Sequence, residues 1–531
     1  MMKPEPPSAR SSMASGNVDG RTAPIADSTP SSFHSRYDPV REAARHVDAV
    51  LAGKRPSVIF IIGGGLNYIG SVAAERFPKA TRVSLQPSDI FDGKELDSPS
   101  LRWSPSSGSS LYATISMAVA DNRLAGGVAI VEWPPVVARF EAGSERIRRV
   151  LRDVLETASA DSATTGFWAS RWLRNSVRFA IAVSGEAAVA RGDGPIVVAC
   201  AGPSLESSLP GIRRVRADIA LWALASAVPA LLKGGLRPDM TVSTDPGFWN
   251  GSHLRASRDA GIPIAMPPSA FASGETLSSS DVLSLDTGLC FERIAIDAAG
   301  LSSERTSPAG SAAGSALALA LRLTSGRVLL AGYDLAALGL QEHCRPYSFD
   351  VLDETSEARL SPALSARTAR VLTGYPEPSG PWRRSRAFSA YAATIRASPE
   401  DEDRVFRSGT SPIETGMRRG GIDDIMGGSG EPPVCMPLAG RRRRTEADTR
   451  AAMRDALCAL ADRSLYASLA AIKEGTPLPY EATLFYKALA PKTAAPLIAD
   501  AARGQSTVAA AAAADAAARE AALAVTLGEA C

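Results

Sequence analysis

The chain has 531 residues, 45% hydrophobic and 21% charged, an ordinary globular composition too long for one hydrophobic core. Its 58 basic and 56 acidic residues leave a formal net charge of +2, which removes any global electrostatic case for nucleic acid or an anionic membrane and makes any basic site local. The six cysteines stand far apart, the N-terminus does not read as a secretory leader, and no apolar run reaches the ~18 residues of a membrane span, so a reducing, cytoplasmic setting is expected.

Residues 1–35 are rich in Ser, Pro and Ala with few large apolar groups, and read as a disordered tail. His34 falls in this tail, and His46, on the amphipathic helix that follows, reads as a surface residue. "SVIFIIGGGLNYIG" (Ser57–Gly70) then reads as strand, glycine turn and helix start; "RVSLQPS" and "GGVAIVEW" add two more strands. A small α/β domain over 36–163 is therefore expected. Its Gly63–Gly65 turn resembles a ligand loop. No acidic residue ends the next strand, however, where a ribose-binding carboxylate would stand, so scaffolding or a degenerate site is expected.

"TTGFWASRWLRNSVRFAIAV" (Thr164–Val183) spaces its large apolar residues along one helical face and reads as a linking helix. From Pro195 to about Ala336 the short runs "IVVAC", "IALWA", "MTVS", "PIAM", "VLSL" and "RVLLA" alternate with helix-length segments. That alternation predicts a parallel sheet covered on both faces. The central domain is placed at 164–395. Residues 396–435, with "SPEDEDRVFRSGTSP" and "GGIDDIMGGSGEPP", read as a linker, and 436–531 as a helical domain. Arg441–Arg444 at its start read as a solvated charge run, and the Ala-rich end as a helix with little to bury or a partly ordered tail. The expected class is α/β: a Rossmann-like doubly wound central domain, a small α/β N-terminal domain and a helical C-terminal region.

In a doubly wound sheet, ligands bind where the loops leave the carboxyl ends of the strands. After "IVVAC" comes Ala201-Gly202-Pro203-Ser204. Gly202 turns without a Cβ, Pro203 removes a donor, and Ser204 caps the next helix or offers its hydroxyl to a phosphate. Neither GxGxxG nor GxxxxGK[ST] is present, so a plain strand-to-helix turn and a phosphate cradle both fit. "LRPDMTVSTDPGFW" puts Thr244 and Asp245 at a second exit, as a cap or as the lining of a crevice with Trp249 as a stacking face. "RVLLAGYDLAALG" puts Gly332, which permits close backbone approach, and Asp334 at a third. His253 and His343 follow the second and third exits, where an imidazole is suited to accept a proton near neutral pH. The Cys and His spacings form no zinc signature, and no metal is expected.

The ordered set "AGPSLE", "LKGGLRPDMTVSTDPGFW" and "PAGSAAGSALALALRLTSGRVLLAGYDLA", with "WLRN" (Trp172–Asn175) and "EHCRPYSFD" (Glu342–Asp350), resembles the central domain of the motility accessory factor (Maf) proteins. The resemblance covers roughly Thr164–Asp350. That domain is shared with archaeal 6-hydroxymethylpterin diphosphokinase and is akin to bacterial sialyltransferases. One departure is Tyr333, where the family commonly has Gln. The resemblance implies a cytoplasmic, sialyltransferase-like flagellin glycosyltransferase needed for flagellum assembly and motility. It would move a nonulosonic acid of sialic, pseudaminic or legionaminic type from its CMP-activated form to Ser or Thr of flagellin. Gly202, Pro203 and Ser204 would then hold the CMP phosphate, and Thr244, Asp245, Gly332 and Asp334 would contact the ribose, base or sugar. His343 first, and His253 second, would act as base, with Asp245 in the catalytic set. The nucleotide-sugar is the donor substrate, no other cofactor is obligatory, flagellin is the partner and an oligomer is compatible. The alternatives are an ATP-dependent pterin diphosphokinase and a non-catalytic flagellin-binding assembly factor.

Overall fold

The computed structural model describes residues 29–527, apart from 121–122, 308–309, 361, 386–387, 389–391, 393–394, 396–400, 428–429 and 439–443. Most of the expected tail, and Arg441–Arg443 of the arginine run, lie outside the described residues. The chain divides into two compact units, Met1–Ala120 with Gly127–Glu156, and Asp121–Gly126 with Thr157–Cys531.

In the first unit, four parallel strands, β1 (Val58–Ile62), β2 (Thr81–Leu85), β3 (Leu101–Trp103) and β4 (Val128–Glu132), lie in the order β3-β2-β1-β4. All five residues of β1 are buried, which is why "VIFII" reads as an unbroken apolar run rather than an alternating one. The three-residue β3 is too short to leave a period in the sequence. The tail expectation is corrected for 30–35, because Phe33 and His34 are buried. The His34 ring stacks on Trp133 at 5.6 Å, its Nε2 accepts the Leu66 N–H at 3.0 Å, and the Trp133 indole N–H donates to the Phe33 carbonyl at 2.9 Å. His46 is also drawn inward, its Nε2 2.8 Å from the Glu132 carbonyl. Gly63–Gly65 are used for packing: a Cβ on Gly65 would stand 2.5 Å from His34 Nε2, and one on Gly63 3.0 Å from Val136.

The second unit is built on one sheet. Its strands are β5 (Gly185–Ala190), β6 (Ile196–Ala199), β7 (Ala220–Leu224), β8 (Met240–Val242), β9 (Ile264–Met266), β10 (Asp281–Asp286), β11 (Glu304–Arg305) and β12 (Val328–Ala331). After a small antiparallel sheet of β13 (Ala336–Leu338), β14 (Glu377–Ser379) and β15 (Trp382–Arg384), the chain rejoins the main sheet with β16 (Val405–Arg407), β17 (Arg418–Arg419) and β18 (Val434–Pro437). The order is β17-β16-β12-β6-β7-β8-β9-β10-β5-β18, with β11 against β10; every pairing is parallel except β18 with β5. Successive residues of β6 serve opposite faces. Val197 and Ala199 pack with Leu205, Ile212 and Leu231, while Ile196 and Val198 pack with Ala316, Leu319 and Leu323. The fold class is as expected: a doubly wound, Rossmann-like central sheet, a small α/β unit before it and helices after it.

Two boundaries differ from expectation. The division at 163 falls inside one helix, Glu141–Ala182. The stretch 396–435 is not a linker, since β16, β17 and the start of β18 come from it. Strands of two to four residues are set by partners rather than by pattern. Here Arg404 anchors the entry to β16 by donating to the carbonyls of Leu321, Thr324 and Gly326 at 2.9, 2.9 and 3.0 Å. The C-terminal helices Glu446–Glu474, Tyr480–Leu489, Pro491–Ala502 and Val508–Leu527 share a core with Phe179, Leu254 and Phe291. The Ala-rich last helix does bury a face, Ala511, Ala514, Ala518 and Ala522, because small side chains let helices approach closely. No helix among the described residues is long and apolar enough to cross a membrane.

Candidate active site at the strand ends

From β6 to β10 the chain steps strand by strand in one direction, then crosses back to place β12 on the other side of β6. The carboxyl ends of β6 and β12 therefore flank the point where the winding reverses, the position at which open α/β sheets leave a crevice. The first and third sequence motifs meet here. The Gly202 N–H donates to the Gly332 carbonyl at 2.8 Å. The Ser204 N–H and hydroxyl donate to the two oxygens of Asp334 at 2.8 and 2.7 Å. Asp334 is 1% exposed; burial pushes its carboxyl up, and the Ser204 hydrogen bonds and the Arg407 charge oppose that.

Both glycines are required. A Cβ on Gly202 would lie 2.3 Å from the Gly332 carbonyl, and Gly332 has φ +75° with its Cβ direction 2.4 Å from the Cys200 carbonyl. The expected phosphate cradle is corrected on this geometry. Gly202 and Ser204 donate as above, Pro203 has no N–H, and the Leu205 N–H donates to the Gly202 carbonyl at 3.1 Å. A carboxylate from the neighbouring strand occupies the start of the helix Leu205–Arg214, where a ligand anion would otherwise sit. Gly202, Pro203, Ser204, Gly332 and Asp334 thus form a closed junction that supports the site.

The second motif opens differently. The Asp245 carboxylate accepts the Gly247 N–H at 2.7 Å in a local turn, and Asp245 is exposed while Thr244 is half-buried at the exit of β8. Asn175, from the "WLRN" segment, donates to the carbonyls of Pro246 and Ser269 at 3.1 and 2.9 Å, pinning the loops that follow β8 and β9. Asn250 continues this frame, accepting from the Ser243 hydroxyl at 2.8 Å and donating to the Phe271 carbonyl at 2.8 Å.

Over this frame lies an aromatic wall. His253, on the helix Asn250–Asp259, packs on Phe349 with ring centroids 4.5 Å apart and on Tyr347 at 5.5 Å. His343 stacks on Tyr347 at 3.9 Å, and Trp249 meets Phe349 edge-on at 6.2 Å. Trp249 and Phe248 remain 59% and 67% exposed, offering aromatic faces to solvent beside Asp245. The segment carrying His343 is tied to the β6 junction. The Cys344 N–H donates to the Ala201 carbonyl at 2.8 Å, and Glu206 accepts from the Arg345 N–H at 2.8 Å and from Gln341 at 2.6 Å.

Burial disfavours the charged form of both imidazoles. Burial pushes His343 down to about 4, with the charges of His253 and Arg370 acting in the same direction and a hydrogen bond to the Ala201 backbone against it. Burial also lowers His253, and the Asp245 charge opposes it. The two histidines differ in what remains open. His343 is engaged with the Ala201 backbone, whereas His253 Nδ1 is buried with no hydrogen-bond partner.

The structure thus brings together Asp245, His253 and His343, and sets the glycine junction against them through Ala201. Tyr347, Phe349 and Phe271 were not singled out in the sequence, although "HCRPYSF" carries the aromatic clustering. Asn175 was seen only as part of a motif. Among the described residues, no three His, Cys, Asp or Glu side chains gather as metal ligands.

Residues 182–339 match the family model described as 6-hydroxymethylpterin diphosphokinase MptE-like. Two proteins of Treponema pallidum (strain Nichols), both described as uncharacterized, are similar to the chain. One is 24% identical over 281 residues, 53% of this chain and 59% of its own; the other is 26% identical over 117 residues, 22% and 56% respectively. The chain therefore spans less than two thirds of either relative. Among solved structures, the Maf glycosyltransferase from Magnetospirillum magneticum AMB-1 aligns over 92% of this chain and 82% of its own, at 12% identity and a TM-score of 0.49.

Proposed function

We propose that the chain is a Maf-type glycosyltransferase that moves a nonulosonic acid from a CMP-activated donor to a Ser or Thr hydroxyl of flagellin in the cytoplasm. The observation that carries the reading is the unpartnered Nδ1 of half-buried His253 beside exposed Asp245, among the aromatic rings of Phe349 and Tyr347. The ordered motif set and the MptE-like match support a nucleotide-type donor. Trp249 and Phe248 suit the apolar face of a sugar or a base.

In the proposed step, the acceptor oxygen attacks the anomeric carbon of the sugar. The bond from that carbon to the phosphate oxygen breaks, CMP leaves with the bonding pair, and the acceptor proton passes to the His253 imidazole. Asp245 stabilises the imidazolium so formed, and His343 positions the wall on which His253 packs. This exchanges the order of the two candidate bases, because the His343 ring stacks on Tyr347 beside the Ala201 backbone, whereas His253 Nδ1 has no hydrogen-bond partner.

The test incubates the purified protein with flagellin and CMP-N-acetylneuraminic, CMP-pseudaminic or CMP-legionaminic acid, followed by intact mass. A gain of one sugar residue per modified site, lost in His253→Ala, is expected. AMP release from ATP with 6-hydroxymethylpterin would replace this reading with diphosphoryl transfer. Flagellin binding without turnover of any donor would leave an assembly factor.

A further inference from the structure

The end of β16 carries a charge for which the proposed transfer has no use. The Arg407 guanidinium is buried, the residue being 2% exposed. Its Nη2 donates to the Ser411 carbonyl at 3.2 Å, but its Nε and Nη1 have no hydrogen-bond partner. Asp334 and Glu414 act on it only through space: Asp334 uses both oxygens on Ser204, and exposed Glu414 pairs with Arg419 at 3.6 Å. At the adjoining end of β12, the hydroxyl of Tyr333, 4% exposed, is also without a partner and lies within reach of the Arg407 charge. The chain bends sharply beside both, with Leu335 at φ 52° and Gly409 at φ +94°.

A guanidinium left unpaired in a protein interior is costly, and each unsatisfied buried donor adds to that cost. Three open donor atoms from two adjacent strand ends, on the sheet edge where α/β folds bind ligands, are the complement of an oxyanion. We propose that Arg407 and Tyr333 form a buried oxyanion site that takes a phosphate or carboxylate group. Its residues are distinct from those of the His253 cleft: β16 and β8, the strands that lead to Arg407 and to Asp245, are four strand spacings apart in the sheet order, about 19 Å at ~4.8 Å each.

The test measures thermal unfolding of the full chain in inorganic phosphate, acetate or chloride at equal ionic strength, for the wild type, Arg407→Met, Arg407→Lys and Tyr333→Phe. Phosphate or acetate should raise the wild-type midpoint above chloride in a saturable way, and the responding anion identifies the group. Arg407→Met should abolish that shift while unfolding in chloride no earlier than the wild type, because an apolar side chain replaces an unpaired buried charge. Arg407→Lys, which keeps the charge, and Tyr333→Phe should each bind the anion at least tenfold more weakly. Equal shifts in the wild type and Arg407→Met would overturn the proposal, as would no anion-specific shift in the wild type. Neither result depends on sugar transfer, so the site and the proposed activity stand or fall apart.

Discussion

Replacing Asp334 separates a hydrogen-bonding role from a charge role at the junction of β6 and β12. Asp334→Ala removes the acceptor of the Ser204 N–H and of the Ser204 hydroxyl, at 2.8 and 2.7 Å, from a residue only 1% exposed. A hydrogen bond to a charged acceptor contributes ~1.5–3 kcal/mol, and the Ser204 N–H is left buried without a partner, so the loss should be about 3–5 kcal/mol. Asp334→Asn behaves differently. Its amide oxygen still accepts the Ser204 N–H, and its NH2 donates to a hydroxyl that accepts as readily as it donates, so the cost should be about 1–2 kcal/mol. Urea unfolding followed by tryptophan fluorescence reads this out, with Trp222 of β7 fully buried in the same sheet. An Ala variant within 1 kcal/mol of the wild type would refute the junction, and an Asn variant as unstable as Ala would refute its hydrogen-bonding basis.

The remaining predictions concern the site and its frame. His253→Ala should lower kcat/KM for transfer by about 10²–10⁴-fold with little change in donor affinity, the usual range for losing a general base; unchanged kcat would move the base elsewhere. Because His343 titrates near 4 in the fold and near 6.5 when unfolded, the unfolded chain binds the extra proton first. Stability should be complete above pH 6.5 and fall by up to about 3 kcal/mol as the pH drops to 4, and His343→Phe should flatten that slope in pH-dependent urea melts. Gly202→Ala places a methyl 2.3 Å from the Gly332 carbonyl and should destabilise by more than ~2 kcal/mol, whereas Ala at Gly235, where a Cβ meets nothing within 4 Å, should cost less despite its φ of +71°. Asn175→Ala frees the Pro246 and Ser269 carbonyls and should raise KM more than it lowers kcat, since it acts through loop position; equal loss in both would place it at the chemistry.

The parallel strands of the central sheet were legible because each is a short apolar run closed by Gly or Pro, a local pattern imposed by burial on both faces. β6 has every residue buried, and "IVVA" needs no context to be read. The same locality marked the three strand exits and both histidines. Local pattern by itself determined the fold class, the strand ends and the list of polar residues available there. Tertiary structure decided what those residues do. Ser204 and Asp334 are 130 positions apart, and no spacing rule announces that one neutralises the other's loop; only the pairing of β6 with β12 does. His253 and His343 look equivalent as sequence, and the Ala201 backbone beside one and the unpartnered Nδ1 of the other distinguish them. The strand "VFR" was lost in a polar stretch, since three residues carry too little apolar surface to signal a strand and gain it from β12 alongside. Its last residue, Arg407, would read as solvated by any local rule, and it is the sheet that closes over it and leaves its donors open.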